Sequence, residues 1–378
     1  MGTIQLNKNF FIKIGIGLLS FAIFLFFGSF ISEAGNCWGG LSADCWSRWD
    51  SALYLDVAQN GHNLFPCKDY PSSWCGNAGW APAYPFAIRF LHWILPNTDM
   101  ANIGLYLSLF FVLLTIWFIG FWQPQLNYFQ YFIATLIYQF ASGSIYLHAI
   151  FPLSMLLFFI FLLFYFLDKS QFFWAGIFAF FAVLTYSIGF VLILCLGAWI
   201  LYDFFMKDQR KIKWNKVFVL VGASLGLITW FVYDYVKTGH WDALFLIQFK
   251  YGHDFNVPWK HMGTRFQDLM RNWGKREMWI EIQNFLLWGL VLTSCVYLSL
   301  NKNRRPNWIF YSMFCFLFLA VPYSTSAITA IFRNAIVLSP IWVYLSTQLK
   351  WEISIILLII FVLLSYPMGI LFIQSVLV

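Results

Sequence analysis

Long apolar runs alternate with short polar stretches along this chain. Phe11 to Ile31, Ala101 to Trp122, Ile145 to Leu167, Val217 to Val236 and Ile353 to Ile373 each reach the ~20 residues that carry a helix across a bilayer. Leu126 to Ala141 precedes the third of these across Ser142-Gly143-Ser144. Further spans are expected near Ile282 to Leu300, Trp308 to Val321 and Asn334 to Leu349. Gln171 to Met206 is interrupted at Tyr186-Ser187-Ile188-Gly189 and reads as two short spans. Tyr84 to Leu95 makes only about 18 Å of helix, too short to cross comfortably, and reads as interfacial or re-entrant. The pattern predicts an all-α polytopic membrane protein, one domain over residues 1–378, with about 10 or 11 spans.

Two polar stretches are long. Residues 32–83 form a loop rich in Trp, Gly, Pro and Cys, and residues 237–281 are polar, aromatic and basic. The short connections carry the basic residues: Lys8 and Lys13, Lys207 to Lys216, and Asn301 to Arg305. That bias places them and the N-terminus in the cytoplasm, so both long loops and Tyr323-Ser324-Thr325-Ser326 face outward. The first span lacks a cleavage-site pattern and reads as a retained helix.

Charged residues make up 10% of the chain and hydrophobic ones 61%, against roughly a quarter charged in soluble domains. Most of the surface therefore meets membrane lipids. The net charge of +7 belongs to the connections, so no nucleic-acid partner is expected. Cys37, Cys45, Cys67 and Cys75 share the first long loop, while Cys195, Cys295 and Cys315 lie in apolar runs. Outside the cytoplasm disulfides persist, and the local pairs Cys37–Cys45 and Cys67–Cys75 are favoured. A zinc site is the alternative, although the spacing contains no Cys-x-x-Cys.

Candidate chemistry concentrates between Ser47 and His62. Ser47 and Asp50 fit a capping pattern at a helix start, and Gly61 fits a stop. Trp49, Leu53 and Val57 would share one face and Asp50 and Tyr54 the next, as on a helix lying at the membrane surface. Asp50 is the candidate catalytic carboxylate and Asp56 the reserve. Asp44, Asp69, Asp242 and Asp254 read as structural loop acids. His62, His240, His253 and His261 read as loop hydrogen-bonders, with no metal expected. His148 lies within an apolar run, where a polar residue is packed or functional.

Arg48-Trp49-Asp50, followed by Tyr54, Ala58 and Gly61-His62, resembles a stretch of the GPI mannosyltransferase 2 family and its bacterial relatives, enzymes of the GT-C superfamily. Trp80-Ala81-Pro82-Ala83-Tyr84-Pro85 is similar to the aromatic-proline segment that follows there. Gly239-His240-Trp241-Asp242-Ala243 with Gln248, Tyr251-Gly252 and Pro258-Trp259 resembles a later segment of the bacterial relatives. So does Phe332-Arg333-Asn334 with Ser339-Pro340. The likeness spreads over most of the chain. It implies a GT-C-like helical bundle that moves a sugar, with mannose expected, from a polyprenyl-phosphate donor to a lipid or glycan acceptor. No cofactor is implied. Transfer would occur on the periplasmic side of a bacterial inner membrane or the lumenal side of the ER membrane. Asp50 would be the general base, and Arg48, Trp49, Tyr54, Trp80, Tyr84, Gln248 and Arg333 would contact substrate. Arg265, Arg271, Lys275 and Arg276 are further cations that could meet the leaving phosphate.

Two positions depart from the family pattern. Phe151-Pro152-Leu153-Ser154 stands where an acidic element is expected, and Tyr186 stands where an arginine is expected. These motivate a second reading, a catalytically silent subunit that serves a membrane partner. A transporter or flippase would place paired charges inside the spans, and the sequence shows few.

Overall fold

The computed structural model describes residues 8–68, 73–206, 213–250, 257–275, 277–300, 307–324 and 331–376. The chain begins with α1 (Lys8–Ala34). The first loop then folds into α2 (Ala43–Trp46), α3 (Ser51–Asn60), a hairpin of β1 (Leu64–Pro66) and β2 (Trp74–Gly76), and α4 (Ala83–Ile94). α5 (Met100–Trp122), α6 (Tyr128–Phe140), α7 (Leu153–Asp168), α8 (Phe172–Thr185), α9 (Val191–Met206) and α10 (Trp214–Thr238) follow. The second loop holds α11 (Ala243–Lys250) and α12 (Pro258–Arg271). α13 (Met278–Leu300), α14 (Trp308–Ser324), α15 (Ile331–Ala335), α16 (Ser339–Gln348) and α17 (Trp351–Ile373) complete the bundle. Among the described residues, six helices are long and apolar enough to cross a membrane, and three shorter apolar helices, α7, α8 and α14, pack among them. The protein is therefore an all-α polytopic membrane protein.

Contacts between connections sort the two ends of the bundle. At one end Lys13 donates to Pro124 O at 3.2 Å, and the Trp122 indole and Tyr311 hydroxyl both donate to Asp168. Asn307 donates to Leu167 O there, and Phe129 packs against Trp351. At the other end Arg48 reaches Ile373 O, His62 meets Asp234, and α11 lies on β2. Among the described residues, the chain thus alternates ends along α1, α5 to α10, α13, α14, α16 and α17. α5 is the single pass between residues 84 and 122, which leaves α4 outside the count. α4 buries Tyr84, Pro85 and Ile88 and exposes Phe86, Phe90 and Trp93. One apolar face covers the protein and the other is left for lipid.

The two long loops meet. Ile247 of α11 packs on Gly79, the Trp74 and His240 rings lie 4.8 Å apart, and Lys250 Nζ sits 3.3 Å from Cys75 Sγ. Both favoured disulfides are formed, Cys37–Cys45 and Cys67–Cys75. The second closes the hairpin just beyond Pro66 paired with Trp74. The connections 207–212 and 301–306, Asp69, His253, Asp254, Tyr251-Gly252, Arg276 and Thr325-Ser326 lie outside the described residues.

The passes differ in kind. α1, α5, α10, α13 and α17 are single long helices, whereas the shorter α6 and α7, α8 and α9, and α14 and α16 pair as three hairpins, each turning at a break in the helical backbone. The first break, residues 141–152, is buried at every position. The second is the 3₁₀ turn Ser187–Phe190 between α8 and α9, and the third runs through α15 and the 3₁₀ turn Ile336–Leu338 into α16. Irregular backbone at membrane depth survives only where protein or a wet cavity surrounds it. Here the first and third breaks press on each other. Gly143 has φ +81°, and a Cβ there would come within 1.9 Å of Phe332 O. Only glycine permits that approach and that dihedral.

Candidate functional site

Asp50 and Arg333 form an ion pair across the bundle. They come from opposite ends of the sequence and meet because the third break is locked to the first beside Phe332. Arg333 is the residue after that contact, so its side chain emerges beneath the first loop. The pair is not sealed: the Asp50 side chain is 23% exposed and the Arg333 side chain 15%.

Local backbone aims Asp50. Trp49 before it has φ +55°, a left-handed conformation that costs a non-glycine residue roughly 1 kcal/mol or more. Helix α3 then starts at Ser51, with Asp50 at the capping position but making no side-chain cap. The capping role expected from Ser47 and Asp50 is therefore not taken up: the carboxylate turns to Arg333. The helix stops at Gly61, φ +79°, as its sequence suggested. Its buried face is Ser51, Tyr54, Val57 and Ala58 rather than Trp49, Leu53 and Val57. It packs on α4, so it is a docked helix rather than a free surface one.

Three tyrosines surround the pair. Tyr54, Tyr146 and Tyr186 all fall within electrostatic reach of Arg333 and Asp50. Each is nearly or fully buried. Tyr146 belongs to the first break and Tyr186 opens the second, so all three interruptions contribute a polar side chain. Burial pushes the Tyr54 hydroxyl well above its ordinary range, and Tyr186 and Asp50 push the same way. It stays a neutral hydroxyl at any working pH. Phe151 closes the floor, edge-on to Tyr54 at 5.8 Å and to Tyr146 at 5.4 Å. Both departures from the family pattern, Phe151 and Tyr186, thus stand at this site. Tyr146, Tyr186 and the convergence itself were not singled out from the sequence as substrate-facing. A hydroxyl beside each helix break, with Arg333 after the third, was the available signal.

Donor capacity remains at the pair. Arg333 Nε, Trp49 Nε1 and Tyr146 Oη are buried without a hydrogen-bond partner among the described residues. The same holds for other buried groups across the bundle, Trp230, Trp288 and Trp342 among them, so these donors are capacity at the pair rather than a mark of the site.

Several expected contacts serve the fold instead. Arg48 gives its N–H groups to the carbonyls of Ile373, Asp44 and Ser47, which ties the end of α17 to the loop. The Tyr84 hydroxyl donates to Gly104 O at 2.8 Å and lies 2.8 Å from Ser108 Oγ, with no exposure. Trp80 is buried, and its carbonyl accepts from His62 Nε2 at 2.9 Å. Gln248 lies beside Gly79 on the second loop. Asp56, the reserve carboxylate, accepts from Asn60, Asn63 and Asn77 beside the hairpin and is not brought to Arg333. Arg265 pairs with Glu281 and Asp268, and Arg271 with Asp268. Lys275 is exposed. His148 stacks on Phe24 at 3.6 Å and bonds Phe24 O, a packed role. Charges paired within the bundle are more numerous than the sequence suggested: Lys216 meets Asp203 at 2.6 Å, and His62 meets Asp234.

The two clefts found on the surface lie elsewhere. One of about 450 Å³ is lined by Gln59, His92 and Pro96 to Met100. The other, about 280 Å³, lies between Lys13, Trp117 and Tyr131. Neither touches Asp50 or Arg333.

No protein-family model matches this chain, and no curated protein does.

Proposed function

We infer that this membrane protein is a glycosyltransferase that takes a sugar, with mannose expected, from a polyprenyl-phosphate donor and attaches it to a lipid or glycan hydroxyl. The reading rests on the GT-C-like resemblance of the Arg48-Trp49-Asp50 and Phe332-Arg333-Asn334 segments. The observation that carries it is the pairing of Asp50 with Arg333, since one carboxylate and one guanidinium are what the transfer needs. The acceptor hydroxyl must lose a proton as it attacks the anomeric carbon, and a placed carboxylate contributes ~10²–10⁴-fold to such a step. The departing phosphate gains charge, which a guanidinium and hydroxyl donors stabilise. Tyr54, Tyr146 and Tyr186 can add donors and stack on a sugar ring. The two disulfides in the first loop favour a non-cytoplasmic placement of the site, in a bacterial inner membrane or the ER membrane.

Purified protein in nanodiscs, given polyprenyl-phosphate mannose and membrane lipid acceptors, should transfer or hydrolyse the sugar. Asp50→Asn should abolish this per folded molecule, with the folded fraction measured alongside because the change leaves Arg333 unpaired. Equal turnover in Asp50→Asn and wild type would remove Asp50 from the chemistry. A second reading is a silent subunit serving a membrane partner, favoured by Phe151 and Tyr186 standing where ionisable groups were expected. It predicts no turnover with any lipid-linked sugar, and co-purification with a second membrane chain.

A further inference from the structure

We propose that Asp50 is the resting counter-ion of Arg333, and that the anionic donor must displace it before it can act as a base, which makes binding ordered: donor first, acceptor second. This rests on the transferase reading above and concerns how the same site is switched on.

The starting point is a conflict within the site. A general base needs a lone pair facing the acceptor hydroxyl. In the structure the Asp50 carboxylate instead faces the Arg333 guanidinium. Its own helix does not hold it, because it makes no side-chain cap. The left-handed Trp49 backbone turns it toward the cation. Arg333, for its part, needs an anion: removing one partner of a largely buried pair strands the other charge. The neighbouring Tyr54, Tyr146 and Tyr186 are neutral hydroxyls and cannot replace it. Asp50 is the carboxylate in contact with Arg333 among the described residues.

A lipid phosphate resolves the conflict. Guanidinium offers five N–H donors in a planar fork. The contact with Asp50 is made through Nη1, and Nε has no partner. A phosphate that approaches the exposed part of the side chain can compete with Asp50 for the fork and draw it away, bringing the buried Nε a partner. The charge ledger closes at each stage. The glycosyl phosphodiester carries one negative charge and Asp50 another. As the acceptor oxygen bonds to the anomeric carbon, the bond from that carbon to the phosphate oxygen breaks and its electron pair leaves with the phosphate. The hydroxyl proton passes to Asp50. The products are a doubly charged phosphate monoester and a neutral carboxylic acid. The total is unchanged, and the second charge has moved from Asp50 to the group Arg333 now holds. One cation serves both states, and departure of the polyprenyl phosphate lets Asp50 release its proton and return.

The test is carbodiimide-driven coupling of an amine to Asp50, read by peptide mass spectrometry on the full chain in nanodiscs. Binding of polyprenyl phosphate is measured on the same sample by native mass spectrometry. Wild-type Asp50 should label slowly alone and on the order of tenfold faster with polyprenyl phosphate bound, as expected for a displaced two-state contact. Arg333→Gln should label fast with or without the lipid. Polyprenyl phosphate that binds without raising the labelling of wild type overturns the exchange and leaves the transferase reading standing. Polyprenyl phosphate that does not bind at all overturns both. The wild-type arm needs no variant, so a poorly folding Arg333→Gln does not blunt the test.

Discussion

The long single passes of this bundle and the short passes paired as hairpins are made of similar oil but solve different problems. α1, α5, α10, α13 and α17 run for 23 to 27 residues without interruption. Apart from the carbonyl left by Pro367 in α17, each closes its own backbone hydrogen bonds and can face lipid, as exposed Phe26, Phe110, Val232, Leu292 and Leu363 do. α6 with α7, α8 with α9 and α14 with α16 turn back on themselves instead, and the described residues at those turns are largely buried in protein. The lesson is that the hairpin turns gather the Asp50–Arg333 chemistry, whereas the other buried pairs, His62 with Asp234 and Lys216 with Asp203, sit near helix ends. A broken helix has carbonyls and N–H groups to satisfy, so neighbours must wrap it. That wrapping also excludes lipid from Arg333, Tyr146 and Tyr186.

The comparison can be broken most sharply with glycine. Gly143→Ala forces a Cβ into a left-handed residue and into the Phe332 carbonyl. Expected destabilisation is about 3 kcal/mol or more, from left-handed strain and overpacking together. Gly289→Ala, in unbroken α13 with nothing within 4 Å of its Cβ, should be neutral or stabilising by up to about 1 kcal/mol. Thermal unfolding in detergent compares the two, and equal shifts would show that the breaks are not special.

Charge gives the next largest effect. Arg333→Gln strands Asp50 and should cost about 2 kcal/mol, less than the ~3–5 of a fully enclosed pair because both side chains reach solvent. Adding Asp50→Asn should recover much of that loss, since neither charge is then left alone. A double variant as unstable as the sum of the singles would mean the pair is not coupled.

Opening the hairpin by Cys67→Ser with Cys75→Ser should cost about 2 kcal/mol, in keeping with a short loop. The loss should be local. Proteolysis between β1 and β2 should accelerate while the helical signal melts at an unchanged temperature. A matching drop in the helical transition would make the first loop part of the bundle's cooperative unit. Smallest of all, Arg271→Gln on exposed α12 should move stability by no more than about 0.5 kcal/mol, although its ion pair with Asp268 looks as close as that at the centre.

Much of the architecture was legible in order along the chain. Runs of about 20 apolar residues gave the long passes, and the interruption at Tyr186 to Gly189 gave the second break. Twelve residues from Tyr84 to Leu95 gave a helix that does not cross. Cysteines eight apart gave both bridges. The site was only half legible. Asp50 and Arg333 were each singled out, but as separate contributors rather than as partners. Arg48, Tyr84 and Gln248 were placed at the substrate, while the fold uses the first two as tethers and keeps the third on the second loop.

The sequence by itself determined that the chain lives in a membrane and which segments are helical, and it favoured the two local cysteine pairs that the structure joins. Those properties depend on local composition and on neighbours within a few residues. Only the tertiary structure decided which charges meet and which remain as struts. Pairing Asp50 with Arg333 depends on Gly143 letting two broken helices touch backbone to backbone, a contact between distant segments that no local period records.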